Sequence, residues 1–169
     1  MNSISSVLIL SSNCATKSEM HEISAFFKLS DDTIIVYPSS DNQLKLQQII
    51  NSAVNPTTIL TKSGVYTESL VIENKFVSII AQNLDQIVEF QPLHNNIAIL
   101  YRSGGGGGQV KGILFTGRNA TGISGSRNDQ EEPPGKIEIF NCTFRDIGNG
   151  VINRFTHMSF VGVIINRAQ

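Results

Sequence analysis

From residue 57 onward the apolar positions fall in short runs rich in Val, Ile and Phe, and Gly, Asn, Asp and Ser separate them. Among these runs are "TILT" from Thr58, "FVSII" from Phe76, "IAILY" from Ile97, "VKGILF" from Val110 and "KIEIF" from Lys136. No helical period survives in this region, and many short strands at such spacing predict an all-β fold. The first third of the chain reads differently. Leu46, Ile49, Ile50 and Ala53 fall at i, i+3, i+4 and i+7 behind the capping box Ser40-x-x-Gln43, which predicts a helix over 44–54 ending near Asn55-Pro56. A second capping box, Thr16-x-x-Glu19, stands ahead of Met20, Ile23, Phe26 and Phe27 and predicts an earlier short helix. Between the two, "TIIVYP" from Thr33 predicts a strand that stops at Pro38.

The C-terminal strands resemble one another. The segment 112–118, GILFTGR, overlays 141–147, NCTFRDI, and then 162–168, GVIINRA, at offsets of 29 and 21 residues. Each copy places a small or amide residue before an apolar or thiol side chain, with Phe or Ile two positions further on. The longer offset holds "SRNDQEEPPGK" at 126–136, whose prolines and acids suit a loop inserted into one repeat. A repeat of roughly 20–30 residues cannot bury its apolar face alone, so successive repeats stack like over like. Fold class follows as all-β: a parallel β-helix of about four or five short rungs with an N-terminal helical cap. Residues 1–56 form the N-terminal strand and capping helices and 57–169 the rungs, together one domain. Asn141, Asn153 and Asn166 suit tight corners, because Asn tolerates the left-handed backbone. The helix 44–54 covers the open edges of the first rung. "SGGGGG" at 103–108 leads straight into a strand, without the Lys-Ser/Thr that follows phosphate-cradling glycines, and reads as a flexible loop.

Composition narrows the function classes. The chain has 169 residues, 16% charged, with a net charge of −1. Its basic residues are scattered, which gives no footprint for nucleic acid or an anionic membrane. Cys14 and Cys142 belong to no metal-binding spacing and read as reduced thiols; His21, His94 and His157 share no spacing suited to a metal either. No cofactor is implied. The apolar run Val7 to Leu10 is shorter than the roughly 7–15 residues of a secretory signal, so a cytoplasmic location is expected, with a secreted or surface-exposed one as the alternative. On that expectation the sequons at Asn119 and Asn141 carry no glycan.

The stretch "LQQIINSAV", then "TILTKSGVYTESLVIENKFVSIIAQ", then "IEIFNCTFRDIGNGVI" resembles the right-handed parallel β-helix, or pectin-lyase-like, superfamily. Its N-terminal part looks most like pectin methylesterases and general β-helix repeat proteins. For a methylesterase the resemblance implies two aspartates, oxyanion-holding glutamines and an arginine, the first aspartate falling at Gly148-Asn149-Gly150. Asn149 stands there instead, and an amide cannot act as a nucleophile or take up a proton near neutral pH. Polygalacturonases of this fold need paired carboxylates, whereas the corresponding region offers Asp146 alone. Pectate lyases need acidic calcium ligands and an arginine base, and here only scattered residues are present.

Six residues remain as candidates for ligand or partner binding, and each has a structural reading beside it. Tyr66 and Glu68 either contact substrate or form a corner packed on the first rung. Arg118 and Arg145, with Arg167, either line a face for an anionic polymer or are solvated. Asp146 and Asn149 complete the set. Asp129, Glu131 and Glu132 beside Pro133 and Pro134 read as a soluble loop. The expected function is a non-catalytic binding module that offers an elongated strand face to a protein or a polysaccharide. The alternatives are a carbohydrate-active lyase, esterase or hydrolase, whole or as a fragment, and a structural spike or surface protein. The last strand has no capping segment after it, which predicts a piece of a longer solenoid or end-to-end homo-oligomers.

Overall fold

The computed structural model describes residues 28–30, 33–38, 45–93, 95–102, 106–126, 135–154 and 157–166. The helix expected at 16–27, the box Ser40/Gln43, Cys14, His21, His94, Arg167 and the acids at 129, 131 and 132 lie outside these residues. In chain order the elements are β1 Lys28–Ser30, β2 Thr33–Val36 and the helix α1 Leu46–Ser52. The first coil contains β3 Thr57–Thr61, β4 Gly64–Tyr66 and β5 Leu70–Ile72. The second contains β6 Val77–Ala81, β7 Val88–Phe90 and β8 Ile97–Tyr101. β9 Gly108–Lys111 and β10 Leu114–Gly125 make the third, and β11 Ile137–Phe140 and β12 Thr143–Asn153 the fourth. β13 Met158–Val161 and β14 Ile164–Asn166 belong to a fifth.

Strands of successive coils pair in parallel and build three faces. Face one is β1-β2-β3-β6-β9-β11-β13, in which only β1 runs antiparallel. Face two is β4-β7-β10-β12-β14. On face three β5 pairs with β8 and β8 with the second half of β10, which in turn pairs with the second half of β12. The two long strands bend between faces two and three at Asn119 and Asp146, whose φ angles of 62° and 51° are left-handed. This is the right-handed parallel β-helix, with about five turns and one short helix near its N-terminal end.

Because the side-chain period of a strand is two, in-register parallel pairing stacks every inward residue on its counterpart one coil away. On face one the column is Ile34, Ile59, Ile79, Val110, Ile139, Phe160. Its middle four are fully buried. On face two it is Tyr66, Phe90, Phe115, Phe144, Ile165. The rings stack with centroids 5.1, 5.8 and 4.9 Å apart. Each such pair contributes about 0.5–1.5 kcal/mol beyond its buried area.

The repeat overlay matches this pairing as far as Phe115 and Phe144, after which the register shifts and Gly117 pairs with Ile147. Leu114 faces Thr143 and Phe115 faces Phe144, while Phe144 faces Ile165. Gly112, Asn141 and Gly162 share one corner with φ of 72°, 48° and 63°, the left-handed turn that Gly and Asn adopt most readily. Asn153 and Asn166, also expected at corners, are the last residues of β12 and β14, and neither takes a left-handed φ. The glycine run differs as well. Residues 106–108 are packed rather than loose: a Cβ on Gly106 or Gly108 would collide with the carbonyl of Lys75 or Val77, and one on Gly107 with that of Lys136. Three coils approach so closely here that only bare backbone fits.

α1 is shorter than expected and buries Leu46, Ile49 and Ile50 against the first coil. Its Gln47 side chain substitutes for a missing strand on face three. The Val71 N–H donates to Gln47 Oε1 at 2.6 Å, and Gln47 Nε2 donates to the Val71 carbonyl at 2.9 Å. Lys75 Nζ donates to the carbonyls of Ile50, Asn51 and Ala53 at 3.0, 2.5 and 2.9 Å, a cation at the negative end of the helix. Pro38 covers the start of β4, where a Cβ on Gly64 would strike its ring.

Phe115 stands between two rings in the middle of the face-two column, so Phe115→Ala should destabilise the protein by about 3–5 kcal/mol. Urea unfolding of the two proteins measures this directly; a loss under about 1 kcal/mol would mean that the column is not a major source of stability.

Candidate functional site

Corner lengths locate the site. Between face one and face two the chain spends two residues in the first coil, Lys62 and Ser63, and two in the third and fourth, Gly112-Ile113 and Asn141-Cys142. In the second coil the same corner contains 82–87, QNLDQI. The surplus cannot lie flat and stands outward as a loop. It is braced by Asn83, whose side-chain oxygen accepts from Asp85 N–H at 3.0 Å and whose carbonyl accepts from Gln86 N–H at 3.3 Å. Leu84 rests against Gly112, where a Cβ would collide with Leu84 Cδ2.

This overhang and the coils beneath it enclose a groove of about 260 Å³. Residues 84–88 form its wall; Gly112, Ile113 and Leu114 its floor; Asn141 and Thr143 continue the floor onto the fourth coil. Leu84 and Ile87 on the rim are 56% and 67% exposed. Asp85 is the only ionisable side chain in the lining; Gln86, Asn141 and Thr143 supply neutral donors and acceptors. Beside the groove, Thr116 donates a short hydrogen bond to Glu89.

None of the six candidates read from the sequence lines this groove, and the structure distributes them over the coil. Tyr66 is interior, the first ring of the face-two column, with its hydroxyl 2.9 Å from the Lys62 carbonyl and 3.1 Å from that of Val36. Burial raises its pKa far above the usual phenol range, and the nearby Glu68 charge adds to the rise. Glu68 accepts from the N–H groups of Leu46 at 2.9 Å and Gln47 at 3.2 Å. Those are unpaired donors of the first turn of α1, so the carboxylate caps the helix from outside. Together with Lys75 it clamps α1 at both ends.

Arg118 is exposed at the bend of β10, next to left-handed Asn119. Arg145 directly follows Phe144, the partner of Phe115, and stands opposite Asn166, whereas Arg118 lies three residues beyond Phe115, so the two arginines occupy different columns. Arg145 Nε lies 4.0 Å from Asp146 Oδ2, and both side chains are 54% exposed, a pairing that water screens heavily. Asp146 itself occupies a left-handed corner. Asn149 is exposed on β12 opposite Thr121, on face three.

Two further ionisable groups are buried in the coil. Tyr101 stacks on Ile72, and its pKa is raised by desolvation. Cys142 is fully enclosed with its sulfur near the carbonyls of Phe140 and Val110, and burial pushes its thiol up to about 11. Among the described residues no three His, Cys, Asp or Glu side chains gather as a metal site would require. No helix of the described residues is long and apolar enough to cross a membrane.

No family model and no curated protein sequence matches the chain. Among solved structures, a mutant of the PL6 family alginate lyase AlyGC is similar to it, with a TM-score of 0.62 at 17% identity. The likeness covers 80% of this chain and 20% of that protein. At that identity it bears on the fold, and the chain spans about one fifth of the length of its neighbour.

Two outcomes test the structural roles. Glu68→Ala should lower stability by about 1–2 kcal/mol, the usual loss for a helix-capping group bonded through a charge, and leave the β-rich circular dichroism intact. In a Cys14→Ser background, Cys142 should resist iodoacetamide at mildly alkaline pH until the protein is unfolded; rapid labelling of the native protein would contradict its enclosure.

Proposed function

We propose that the chain is a non-catalytic binding module that holds an extended glycan in the groove under the 82–87 loop. The observation behind this reading is the lining itself: amide, hydroxyl and aliphatic groups on a floor that crosses two coils, with Asp85 as its single, exposed ionisable group. Hydroxyl-rich polymers are held by such a mixture of donors, acceptors and apolar walls. Cleavage by glycosidases of the usual type needs an acid and a base or nucleophile across the scissile bond; of the two carboxylates here, Asp85 is solvated and Glu89, beside the groove opposite Leu114, is engaged by Thr116. The similarity to an alginate lyase supports a polysaccharide as the ligand class, since that neighbour acts on one. A polypeptide segment is the second reading. It is favoured by the exposed aliphatic rim of Leu84 and Ile87, which would bury apolar surface against a peptide.

The test is a calorimetric titration with alginate, polygalacturonate, methylated pectin and a neutral glucan, alongside an assay for newly released chain ends. Binding of at least one polymer is expected, without cleavage. Leu84→Asp should weaken it by about tenfold or more. Asn141→Gly, which preserves the left-handed corner, should weaken it less, while Arg118→Ala should leave it unchanged. Release of chain ends would make the protein an enzyme, and binding unaffected by Leu84→Asp would move the site off the groove.

A further inference from the structure

The charge around the groove has one sign. Its lining includes no Lys, Arg or His, and Asp85 stands exposed on the wall. A second carboxylate lies close by. Val65, Glu89, Leu114, Thr143 and Ile164 form one outward row across face two, and the two members after Glu89, Leu114 and Thr143, are groove floor. Glu89 is therefore one strand spacing, about 4.8 Å, from that floor. The hydrogen bond it accepts from Thr116 comes from a neutral hydroxyl and leaves its negative charge in place.

Basic side chains of the surrounding positions do not offset these charges. Lys62, at the same corner of the first coil, is turned toward the N-terminal side, its Nζ 5.7 Å from the centroid of the Tyr37 ring. Lys111 belongs to the outward row of face one, opposite Ile80 and Phe140. Arg145 comes two residues after Thr143, and Asp146 offsets its charge from 4.0 Å. Asp85 itself has no cationic partner among the described residues. The wall that carries it is held in place: Asn83 accepts the N–H groups of Asp85 and Gln86, and Leu84 rests on Gly112. A charge so positioned meets its ligand without first being ordered.

Building on the glycan reading of this groove, we propose that it selects an amino-sugar polymer with protonated amines, and that Asp85 sets the preference. A uronan would bring its carboxylates against two like charges with no cation between them, which opposes binding. A neutral sugar can donate a hydroxyl to Asp85 but adds no charge to the contact. A protonated amine there makes a charge-assisted hydrogen bond. In water a pair of opposite unit charges about 4 Å apart is worth roughly fivefold in affinity.

Calorimetric titration at mildly acidic pH, where the sugar amines are protonated, compares oligomers of glucosamine, of N-acetylglucosamine and of galacturonate. Each is run in low salt with calcium chelated, and again with calcium added. Glucosamine oligomers should bind about fivefold or more tighter than the N-acetylated series, with galacturonate weakest, and added salt should narrow the gap. Asp85→Asn should lower the ratio of glucosamine to N-acetylglucosamine affinity by about fivefold. Glu73→Gln, which removes an exposed carboxylate outside the groove, should keep that ratio. Galacturonate bound as tightly as glucosamine, with or without calcium, overturns the proposal. So do equal affinities for the two amino-sugar series, and a glucosamine preference that survives Asp85→Asn. In each of these cases a glycan still binds and the glycan reading stands. If no series binds, that reading fails and the amino-sugar preference falls with it.

Discussion

A single coil of this protein has an apolar interior about one residue deep and strand edges open on both sides. It can satisfy neither by itself, so its stability resides in the contact between coils. That dependence explains why the pairing must be in register. A slip of one residue would turn Phe115 outward and bring Leu114 under Phe144, breaking the aromatic column and opening the interior to water. It also explains why the first coil needs a lid. Leu46, Ile49 and Ile50 supply the apolar cover, Gln47 imitates the absent strand, and Glu68 and Lys75 hold the two ends of the helix. Within the second of the stretches that carry the resemblance, KSGVYTESLVI, residues 62–72, is thus largely the receiving side of that lid.

Much of this architecture is legible in the residues, because the physical demands are local and repeated. The corner shared by Gly112, Asn141 and Gly162 needs a left-handed backbone, and Gly and Asn are the residues that adopt it at little cost, so the offsets of 29 and 21 residues emerge on inspection. Asn153 and Asn166 show the limit of the same argument. Asn tolerates a left-handed corner without requiring one, and both of these end a strand without taking the left-handed backbone. The glycines at 106–108 show a different limit: flexibility and close approach demand the same residue, and only the neighbouring carbonyls of Lys75, Val77 and Lys136 distinguish them.

The chemistry was less legible than the fold. Tyr66 and Glu68 stand out in the sequence because they are polar groups in an apolar motif, and that is equally the mark of a buried hydroxyl and of a helix cap. Arg118 falls on Ile147 in the overlay and Arg145 on Thr116, so the two differ in their offset within the repeat and form no column. The groove escaped notice because its signal is a length rather than a residue type. Once the corner is known to take two residues, the six of 82–87 are conspicuous, and a surplus at a fixed corner of a solenoid has nowhere to go except outward.

Inside and outside of the coil are therefore under different physical constraints. Inward positions must match their neighbours one coil above and below in size and shape. Outward positions answer only to solvent and ligand. A chain can then share 17% of its residues with a polysaccharide lyase and keep its fold at a TM-score of 0.62. What such a likeness transmits is the stacking rule, whereas activity depends on the outward groups and on corner insertions, the features that the rule leaves free. Among the corners between faces one and two, the clearest departure from the repeat is the loop at 82–87, and the proposed function rests on that corner of the second coil and the floor beneath it.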